Sequence, residues 1–329
     1  MAGVGQGVMT NFPYGFANGL SVRGVPLLQM QPGQVFFCGN ADVLNPQQKG
    51  ASDGNRGTFL DPFKTLNYAI NTACLANRGD IVFVLPGPAE TITDAATITL
   101  ATAGVAVIGL GTGSLRPTIT YATNTTANIP VTAANVTMQN FLLKSTVASC
   151  ASAFTTTGTA LSPNFSLDNI EFKDTSASLN FLAGYTTNST ATSWDGFSMT
   201  NCGFWSTGTG TRTAIVSTIG CDRLTVADNY GASLQTTVAM LMTTAATSNT
   251  GCVIARNRFE GAHTSTSLAC GISGTGTAWS GIAHDNYFFS LAASTGIWIP
   301  TTTKLALFQN YSCIAGAYAT QGALNPVTA

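Results

Sequence analysis

The acidic residues that could carry out chemistry are few, and three of them occupy one repeated position. The chain has 329 residues but only 14 aspartates and glutamates, and Asp168, Asp228 and Asp285 each stand directly before an asparagine. If each repeat is one layer of stacked strands, two layers separate Asp228 from Asp285 by about 9.6 Å. That distance is at the upper limit for the two carboxylates that hydrolyse a glycosidic bond with inversion. Asp228 and Asp285 are therefore the catalytic candidates of an enzymatic alternative.

A cation stands between these two candidates. Arg256 occupies the same position in the intervening repeat, and this order favours a surface ladder of ion pairs over a catalytic pair. A second acidic group, with a lysine among its members, is interpreted as a solvated face. Its residues are Asp168, Glu171, Lys173 and Asp174.

Neither the histidines nor the cysteines have the spacing of a metal site. His263 and His284 are the only histidines, and a metal would need further ligands. None of the eight cysteines belongs to a C-x-x-C pair, so we expect buried, reduced thiols that pack as small hydrophobic groups. The sequence therefore predicts no metal and no cofactor. The cysteines are Cys38, Cys74, Cys150, Cys202, Cys221, Cys252, Cys270 and Cys313.

The four tryptophans leave two interpretations open. Aromatic rings can line a groove that stacks on sugars, and they can equally anchor an interface between subunits. The sparse charge of the chain favours the interface. The residues are Trp194, Trp205, Trp279 and Trp298.

Composition narrows the classes of partner. Charged residues make up 8% of the chain and the net charge is -1, so no basic surface predicts nucleic-acid binding. The chain contains no run of 18 apolar residues, so we expect no membrane span. Its first residues lack the basic and apolar regions of a secretion signal. We expect a protein that folds in a cytoplasm and buries part of its surface against copies of itself or partners.

An internal repeat determines the expected fold. Seven segments share alternating apolar residues, an asparagine and then an apolar or aromatic residue, and successive asparagines are 24 to 32 residues apart. Each repeat is expected to form one turn of a solenoid, because short strands cannot bury their apolar faces alone. We expect the asparagines to form one hydrogen-bonded ladder at a left-handed corner, with the following residue pointing inward. They are Asn140, Asn169, Asn201, Asn229, Asn257, Asn286 and Asn310.

The ends of the solenoid follow from its flanking segments. Residues 1–60 are rich in Gly, Pro, Asn and Gln and predict an extended arm and linker. Asp61 and Pro62 are a favourable N-cap and first residue for a helix over 62–77 that covers the first turn. The predicted β-helix occupies 61–314, with about eight turns after Ile81, and residues 315–329 form a tail.

These features resemble a known superfamily. "SDGNRGTFLDPFKTLNYAIN", then "RGDIVFVLPG" and asparagine-marked repeats, are similar to the right-handed parallel β-helix superfamily of pectate lyases and phage tailspikes. The resemblance covers about residues 53–314. It implies an all-β fold, a right-handed single-stranded parallel β-helix with an N-terminal capping helix. Pro88 stands after "LPG" where the resemblance predicts a histidine, and this departure removes any role for a histidine there.

The first 90 residues carry a narrower resemblance. "FPYGFANGLSVRGVPLLQMQPG", "DGNRGT" and "RGDIVFVLPGPAET" resemble phage virion proteins, in particular capsid decoration or head-associated proteins. This resemblance implies a homotrimer on the capsid exterior, made in the host cytoplasm and bound to the major capsid protein through the arm. The alternatives are a tailspike-like polysaccharide depolymerase and a non-catalytic adhesin for host-surface glycans. The anchor candidates in the arm are Phe12, Tyr14, Phe16, Val22, Arg23, Leu27 and Leu28.

Overall fold

Alternating apolar residues in short segments fold into a parallel β-helix. The computed structural model describes residues 21–22, 25–26, 33–39, 50–95, 97–156, 158–187, 193–205, 213–233, 241–244, 248–261, 272–274, 278–290, 304–314 and 322–323. Nearly all regular structure in these ranges is β. The strands are, in chain order, β1 (Ser21–Val22), β2 (Val25–Pro26), β3 (Val35–Cys38), β4 (Ile81–Val84), β5 (Pro88–Ile92), β6 (Ala106–Gly109), β7 (Thr118–Tyr121), β8 (Ile129–Pro130), β9 (Thr137–Ser145), β10 (Phe154–Thr156), β11 (Ser166–Asp174), β12 (Ala183–Thr187), β13 (Ser198–Thr200), β14 (Gly203–Trp205), β15 (Thr213–Ser217), β16 (Thr225–Ala227), β17 (Tyr230–Ser233), β18 (Met242–Thr244), β19 (Ser248–Ala255), β20 (Arg258–Gly261), β21 (Ile272–Gly274), β22 (Ala278–His284), β23 (Tyr287–Ser290), β24 (Lys304–Phe308), β25 (Tyr311–Ile314) and β26 (Gly322–Ala323).

Three parallel sheets form the sides of the helix. Sheet 1 contains β3, β4, β6, the first parts of β9 and β11, and then β13, β16, β19, β22 and β24. Sheet 2 contains β5, β7, the second parts of β9 and β11, and then β14, β17, β20, β23 and β25. Sheet 3 contains β8, β10, β12, β15, β18 and β21. The short antiparallel pairs β1–β2 and β25–β26 lie outside this pattern.

The core is made of columns of apolar side chains that stack along the axis. In sheet 1, Leu167 pairs with Met138 on one side and Met199 on the other, and all three are fully buried. Because parallel strands are about 4.8 Å apart, each side chain contacts its equivalents in the turns above and below. Aromatic residues add a second column in sheet 2, where the rings of Phe172 and Phe204 stack at 4.5 Å.

In the described residues, fewer turns are complete on all three sides than the sequence predicted. Sheet 3 contains six strands in the described residues, so about six turns are complete on all three sides, whereas about eight were expected. In the turn before β8, the third side is reduced to a single bridge between Leu100 and Val131. Residue spacing alone could not separate a turn with three strands from a turn with two.

A short helix precedes β4, and its bounds differ from the predicted 62–77. Helix α1 spans Leu66–Tyr68 and continues as one π-helical turn over Ala69–Ala73. A single 3₁₀ turn, Gly113–Leu115, is the other helical element of the described residues. The apolar side of the cap is buried as predicted, with Leu66, Ala69 and Ile70 packed against the first turns.

The start of α1 is set by residues distant in sequence. Thr65 is the N-cap, and its Oγ1 accepts from the backbone N–H of Tyr68 at 3.3 Å. The prediction that Asp61 caps the helix was therefore wrong, since Asp61 pairs with Thr58 in a turn. Asp53 accepts from the backbone N–H groups of Lys64 and Thr65, at 3.0 and 2.8 Å. Local capping rules could not include a carboxylate 12 residues upstream.

Asp80 fastens the beginning of the solenoid. It is fully buried, and its carboxylate accepts from Arg78 and from the backbone N–H groups of Gln34 and Leu75 at 2.6 to 2.8 Å. Burial alone would raise the pKa of Asp80, but these donors lower it below its usual value. One ionised side chain thus holds together the segment before β3, the end of the cap and the start of β4.

Candidate functional site

The asparagines form two columns, where the sequence predicted one. Asn140, Asn169 and Asn201 occupy the left-handed corner between sheets 1 and 2, with φ between 52° and 63°. In the later turns the same corner is taken by Asp228, Arg256, Asp285 and Gln309, with φ between 46° and 59°. The later asparagines therefore come one residue after the corner. They are Asn229, Asn257, Asn286 and Asn310.

Because side chains alternate between the two faces of a strand, the residue after a displaced asparagine lies on the opposite face of sheet 2 from the residue after a corner asparagine. Phe141 and Ile170, which follow the corner asparagines, point inward and are fully buried, as predicted. Tyr230, Tyr287 and Tyr311 follow the displaced asparagines and are exposed by 37%, 52% and 38%. The prediction that the residue after each asparagine is buried was wrong for these turns.

The displaced asparagines form a fully buried ladder. Asn229, Asn257 and Asn286 each donate through Nδ2 to the Oδ1 of the next asparagine, at 2.8 to 2.9 Å, and to a backbone carbonyl at 2.8 to 3.0 Å. Each Oδ1 also accepts a backbone N–H from the preceding turn. Because every polar atom has partners, the ladder stabilises the register and leaves no free group for catalysis.

The catalytic candidates of the enzymatic alternative are held apart by Arg256. Its guanidinium donates to both oxygens of Asp228, at 2.7 and 2.6 Å. Asp285 instead lies 2.8 Å from Nδ1 of His284. The pKa of Asp228 is lowered by the hydrogen bonds and charge of Arg256. A general acid needs a raised pKa, so Asp228 is unsuited to that role.

The second acidic group is not a uniform solvated face. Asp168 accepts hydrogen bonds from Gln139, Thr200 and Asn201 at 2.7 to 2.8 Å. Glu171 pairs with Arg116, and both side chains are mostly buried. The group therefore consists of separate structural contacts. Asp174 is 7% exposed and Lys173 is exposed.

Sequence reasoning missed a pair of carboxylates at the cap. Glu90, from β5, accepts from the backbone N–H of Leu66 at 3.0 Å, beside the Asp53 that binds Lys64 and Thr65. Burial, with a smaller contribution from the charge of Asp53, raises the pKa of Glu90 to about 7. The signal in the sequence was the Asp53-Gly54 pair before the helix, but nothing local linked it to Glu90.

The three tryptophans within the described residues do not form one groove. Trp194 and Trp279 are 0% and 1% exposed and belong to the core, whereas Trp205 is 45% exposed on sheet 2. The ring of Trp205 lies 5.5 Å from that of Tyr230. Trp205 thus belongs to an exposed aromatic face with the tyrosines of the later turns. Trp298 lies outside the described residues.

The outer face of sheet 1 is apolar in its first three strands and becomes polar in the next three, β9, β11 and β13. The outward positions of β3, β4 and β6 are all hydrophobic, and Phe37 contacts the rings of Phe59 and Phe83 at 5.6 Å. In β9 the equivalent positions are Thr137 and Gln139. We name this surface the apolar N-terminal face. It comprises Val35, Phe37, Ile81, Phe83, Ala106 and Ile108.

Several predicted residues cannot be placed. Phe12, Tyr14, Phe16, Arg23, Leu27 and Leu28 of the arm lie outside the described residues, as do His263 and Cys270. Val22 lies in β1, which pairs with β2. The described part of the chain contains no group of three or more His, Cys, Asp or Glu side chains that could hold a metal. No helix in that part is long and apolar enough to cross a membrane.

The strand register defines a parallel β-helix protein. No protein-family model matches the chain, and no curated protein sequence is similar to it. Solved structures similar to it include a pectin methylesterase from Aspergillus niger, with 10% identity and a TM-score of 0.38 over 80% of this chain and 89% of that one. A lacto-N-biosidase from Eubacterium ramulus has 8% identity and a TM-score of 0.39 over 85% and 68%. A rhamnogalacturonan lyase has 12% identity and a TM-score of 0.37 over 89% and 90%.

Proposed function

We propose that the chain is a bacteriophage virion protein that decorates the capsid, with the N-terminal end of its β-helix toward the shell. The apolar N-terminal face carries this proposal. Strands that are apolar on both sides are typical of sheets covered on both faces, and an uninterrupted apolar patch marks an interaction surface. Polar residues replace the patch in β9, β11 and β13, and this polar zone separates it from the exposed Val253 and Phe308 at the other end of the sheet.

The resemblance of the first 90 residues supplies the identity of the partner. It supports the major capsid protein as the docking surface and a homotrimer on the capsid exterior, assembled after synthesis in the host cytoplasm. The arm, about residues 1–45, contains β3 and therefore contributes Val35 and Phe37 to the apolar N-terminal face. Arm and face together would form a continuous contact surface.

Binding to shells tests this proposal directly. Purified shells without the protein are mixed with the wild type, with a chain that lacks residues 1–32 but keeps β3, and with the double variant Phe37→Ser, Phe83→Ser, and are then sedimented. We expect the wild type to sediment with the shells and both variants to stay in solution. Phe308→Ser is the matched control, because Phe308 is exposed on the same sheet at the other end. Circular dichroism must show that each variant keeps its β structure.

Undiminished binding by the truncated chain would exclude docking through residues 1–32 of the arm. Undiminished binding by the double variant would exclude the apolar N-terminal face. If the wild type fails to bind any shell, the decoration proposal itself fails.

A second candidate function is action on polysaccharide. Exposed aromatic rings on the outer face of sheet 2 favour binding, as a non-catalytic adhesin, over cleavage. For cleavage, Asp228 and Asp285 are the residues to replace by asparagine. We expect the wild type to release neither reducing ends nor unsaturated products from host polysaccharide. Release of such products, abolished in Asp228→Asn or Asp285→Asn, would establish a depolymerase.

A further inference from the structure

The outer face of sheet 2 combines exposed aromatic rings with a local excess of positive charge. One outward column runs from Glu171 through Gly203, Tyr230, Arg258 and Tyr287 to Tyr311. With a spacing of about 4.8 Å per strand, this column is about 24 Å long. A second outward column, two residues further along each strand, contains Trp205. We name this surface the aromatic face.

We propose that the aromatic face binds an anionic polysaccharide, an inference that rests on the second candidate function and not on capsid decoration. A sugar ring has an apolar face of C–H groups and a rim of hydroxyls. Exposed aromatic rings can cover the first, and charged side chains and phenol hydroxyls can bind the second. The pattern on the aromatic face, aromatic residues interrupted by ionised ones along one line, matches a chain of such units.

The aromatic rings differ in how much of their faces they leave open. Trp205 and Tyr230 are inclined by 58°, so neither covers the other as a parallel pair would. Tyr287 and Tyr311 are stacked at 5.0 Å with 18° between their planes, and each therefore covers one face of the other. Trp205 and Tyr230 are consequently the main stacking platform, and the tyrosine pair extends the surface beyond Arg258.

The position of Tyr230 depends on the absence of a side chain at Gly203. A Cβ built on Gly203 would lie 2.8 Å from three atoms of the Tyr230 side chain, including its hydroxyl oxygen. The tyrosine therefore lies across the strand of the preceding turn, toward Glu171. In agreement, the pKa of Tyr230 is raised, first by burial and then by the charge of Glu171. The phenol hydroxyl is thus placed beside an ion pair.

The charges of the aromatic face favour an anion. Four cations and two carboxylates on the two columns and at Arg116 give a local net charge of +2. The corner residues Arg256, Asp228 and Asp285 beside the first column bring the balance to +1, in a chain whose net charge is -1. Arg116 pairs with Glu171 through Nη2, while its buried Nε has no protein partner. An acidic sugar would bring the carboxylate that such donors bind. The charged residues are Arg116, Lys144, Lys173, Arg258, Glu171 and Glu260.

Electrophoresis through gels that contain a dissolved polysaccharide tests the inference. Alginate serves as an anionic polymer and dextran as a neutral one. We expect alginate to retard the wild type and dextran to leave it unaffected. Trp205→Ala and Arg258→Gln should each weaken alginate binding by about tenfold. Gly203→Ala should also weaken it, because it displaces Tyr230 without removing any functional group.

Phe308→Ala is the matched control, since Phe308 is 57% exposed but lies on sheet 1. It should bind alginate as the wild type does. The same samples are examined by light scattering, because an aromatic surface could instead join subunits. A lower mass for Trp205→Ala would overturn the inference in favour of a subunit contact.

The remaining outcomes distinguish a wrong binding site from a protein that does not bind polysaccharide at all. Alginate binding that is unchanged in Trp205→Ala and Arg258→Gln would reject the aromatic face but retain a polysaccharide-binding protein. Equal retardation by dextran would reject the requirement for an anion. No retardation by either polymer would reject both the inference and the second candidate function, while shell binding would remain a separate result.

Discussion

Arg256 donates to both carboxylate oxygens of Asp228 across one turn of the helix, at 2.7 and 2.6 Å. Both residues stand at the left-handed corner, where stacking places equivalent positions about 4.8 Å apart. The pair thus results from the repeat itself. Because Arg256 lowers the pKa of Asp228, the carboxylate stays ionised further into acid than an ordinary aspartate does.

Asp228→Asn should lower the free energy of unfolding by less than about 1 kcal/mol, since the ion pair is largely exposed to solvent. Urea denaturation at pH 7 measures the change. The contribution of Asp228 is present above its unfolded pKa and is lost as the pH falls through its lower folded pKa. The difference between wild type and variant should therefore vanish in acid. A loss of several kcal/mol would contradict an exposed pair.

Asn257→Ala should lower the free energy of unfolding by about 2–4 kcal/mol, because the buried backbone N–H and Nδ2 of Asn229 lose their acceptor. Asn201→Gly is the control, since Asn201 is exposed at its corner and glycine adopts the same left-handed conformation. It should cost about 1 kcal/mol or less. If the two variants lost the same free energy of unfolding, the buried ladder would stabilise the protein no more than an exposed asparagine does.

The cap should become less stable as the pH rises. Burial raises the pKa of Glu90 to about 7, above the value of about 4.3 for an unfolded glutamate. Between these values the folded state binds more protons than the unfolded state. The stabilisation is therefore complete below the unfolded pKa and is lost as the pH rises through about 7.

Glu90→Gln removes this titration while keeping an oxygen that can accept from Leu66. The Tm of the wild type relative to Glu90→Gln should fall between pH 5 and pH 8. Two other titratable groups interact with Glu90: the charge of Asp53 acts on Glu90, and the charge of Glu90 acts on Cys38. Both groups are present in the wild type and in Glu90→Gln, so they do not account for a difference between them. A constant difference across that range would disprove the role of Glu90.

Asp80→Asn should destabilise the first turn by about 2–4 kcal/mol, because it removes the charge that Arg78 and two backbone groups bind inside the protein. Asp222→Asn is a suitable comparison, since Asp222 and Arg223 form an exposed pair 3.3 Å apart. Its cost should be small. If the two variants unfold at the same urea concentration, Asp80 does not fasten the first turn.

The thiols of the core should resist modification in the folded protein. Burial raises the pKa of Cys74, Cys202, Cys221 and Cys252 to about 12, that of Cys150 to about 11, and that of Cys38 further. All six are buried and free of disulfides. Titration with a thiol reagent at pH 8 should therefore detect at most two thiols before unfolding and eight after it. Three or more native thiols would contradict this packing.

The sequence by itself determined the repeat, the parallel β-helix and the apolar side of the cap. These depend on periodicity and local turn chemistry, which are visible in a linear chain. It also predicted a ladder of ion pairs between Asp228, Arg256 and Asp285. In the structure, the ion pair between Arg256 and Asp228 is formed.

Only the tertiary structure decided which side of each strand faces the core. Asn201 lies at the corner but Asn229 lies one residue beyond it. In the sequence this shift is visible only as spacing, since one residue separates the buried Met199 from Asn201 and two separate the equivalent Val226 from Asn229. Pairing between turns fixes the register, and with a side-chain period of two a single residue exchanges inside for outside. For that reason Phe141 is buried whereas Tyr230 and Tyr287 are exposed. The same long-range pairing brought Asp53 and Glu90 to the cap, since their bonds to its backbone span 12 and 24 residues.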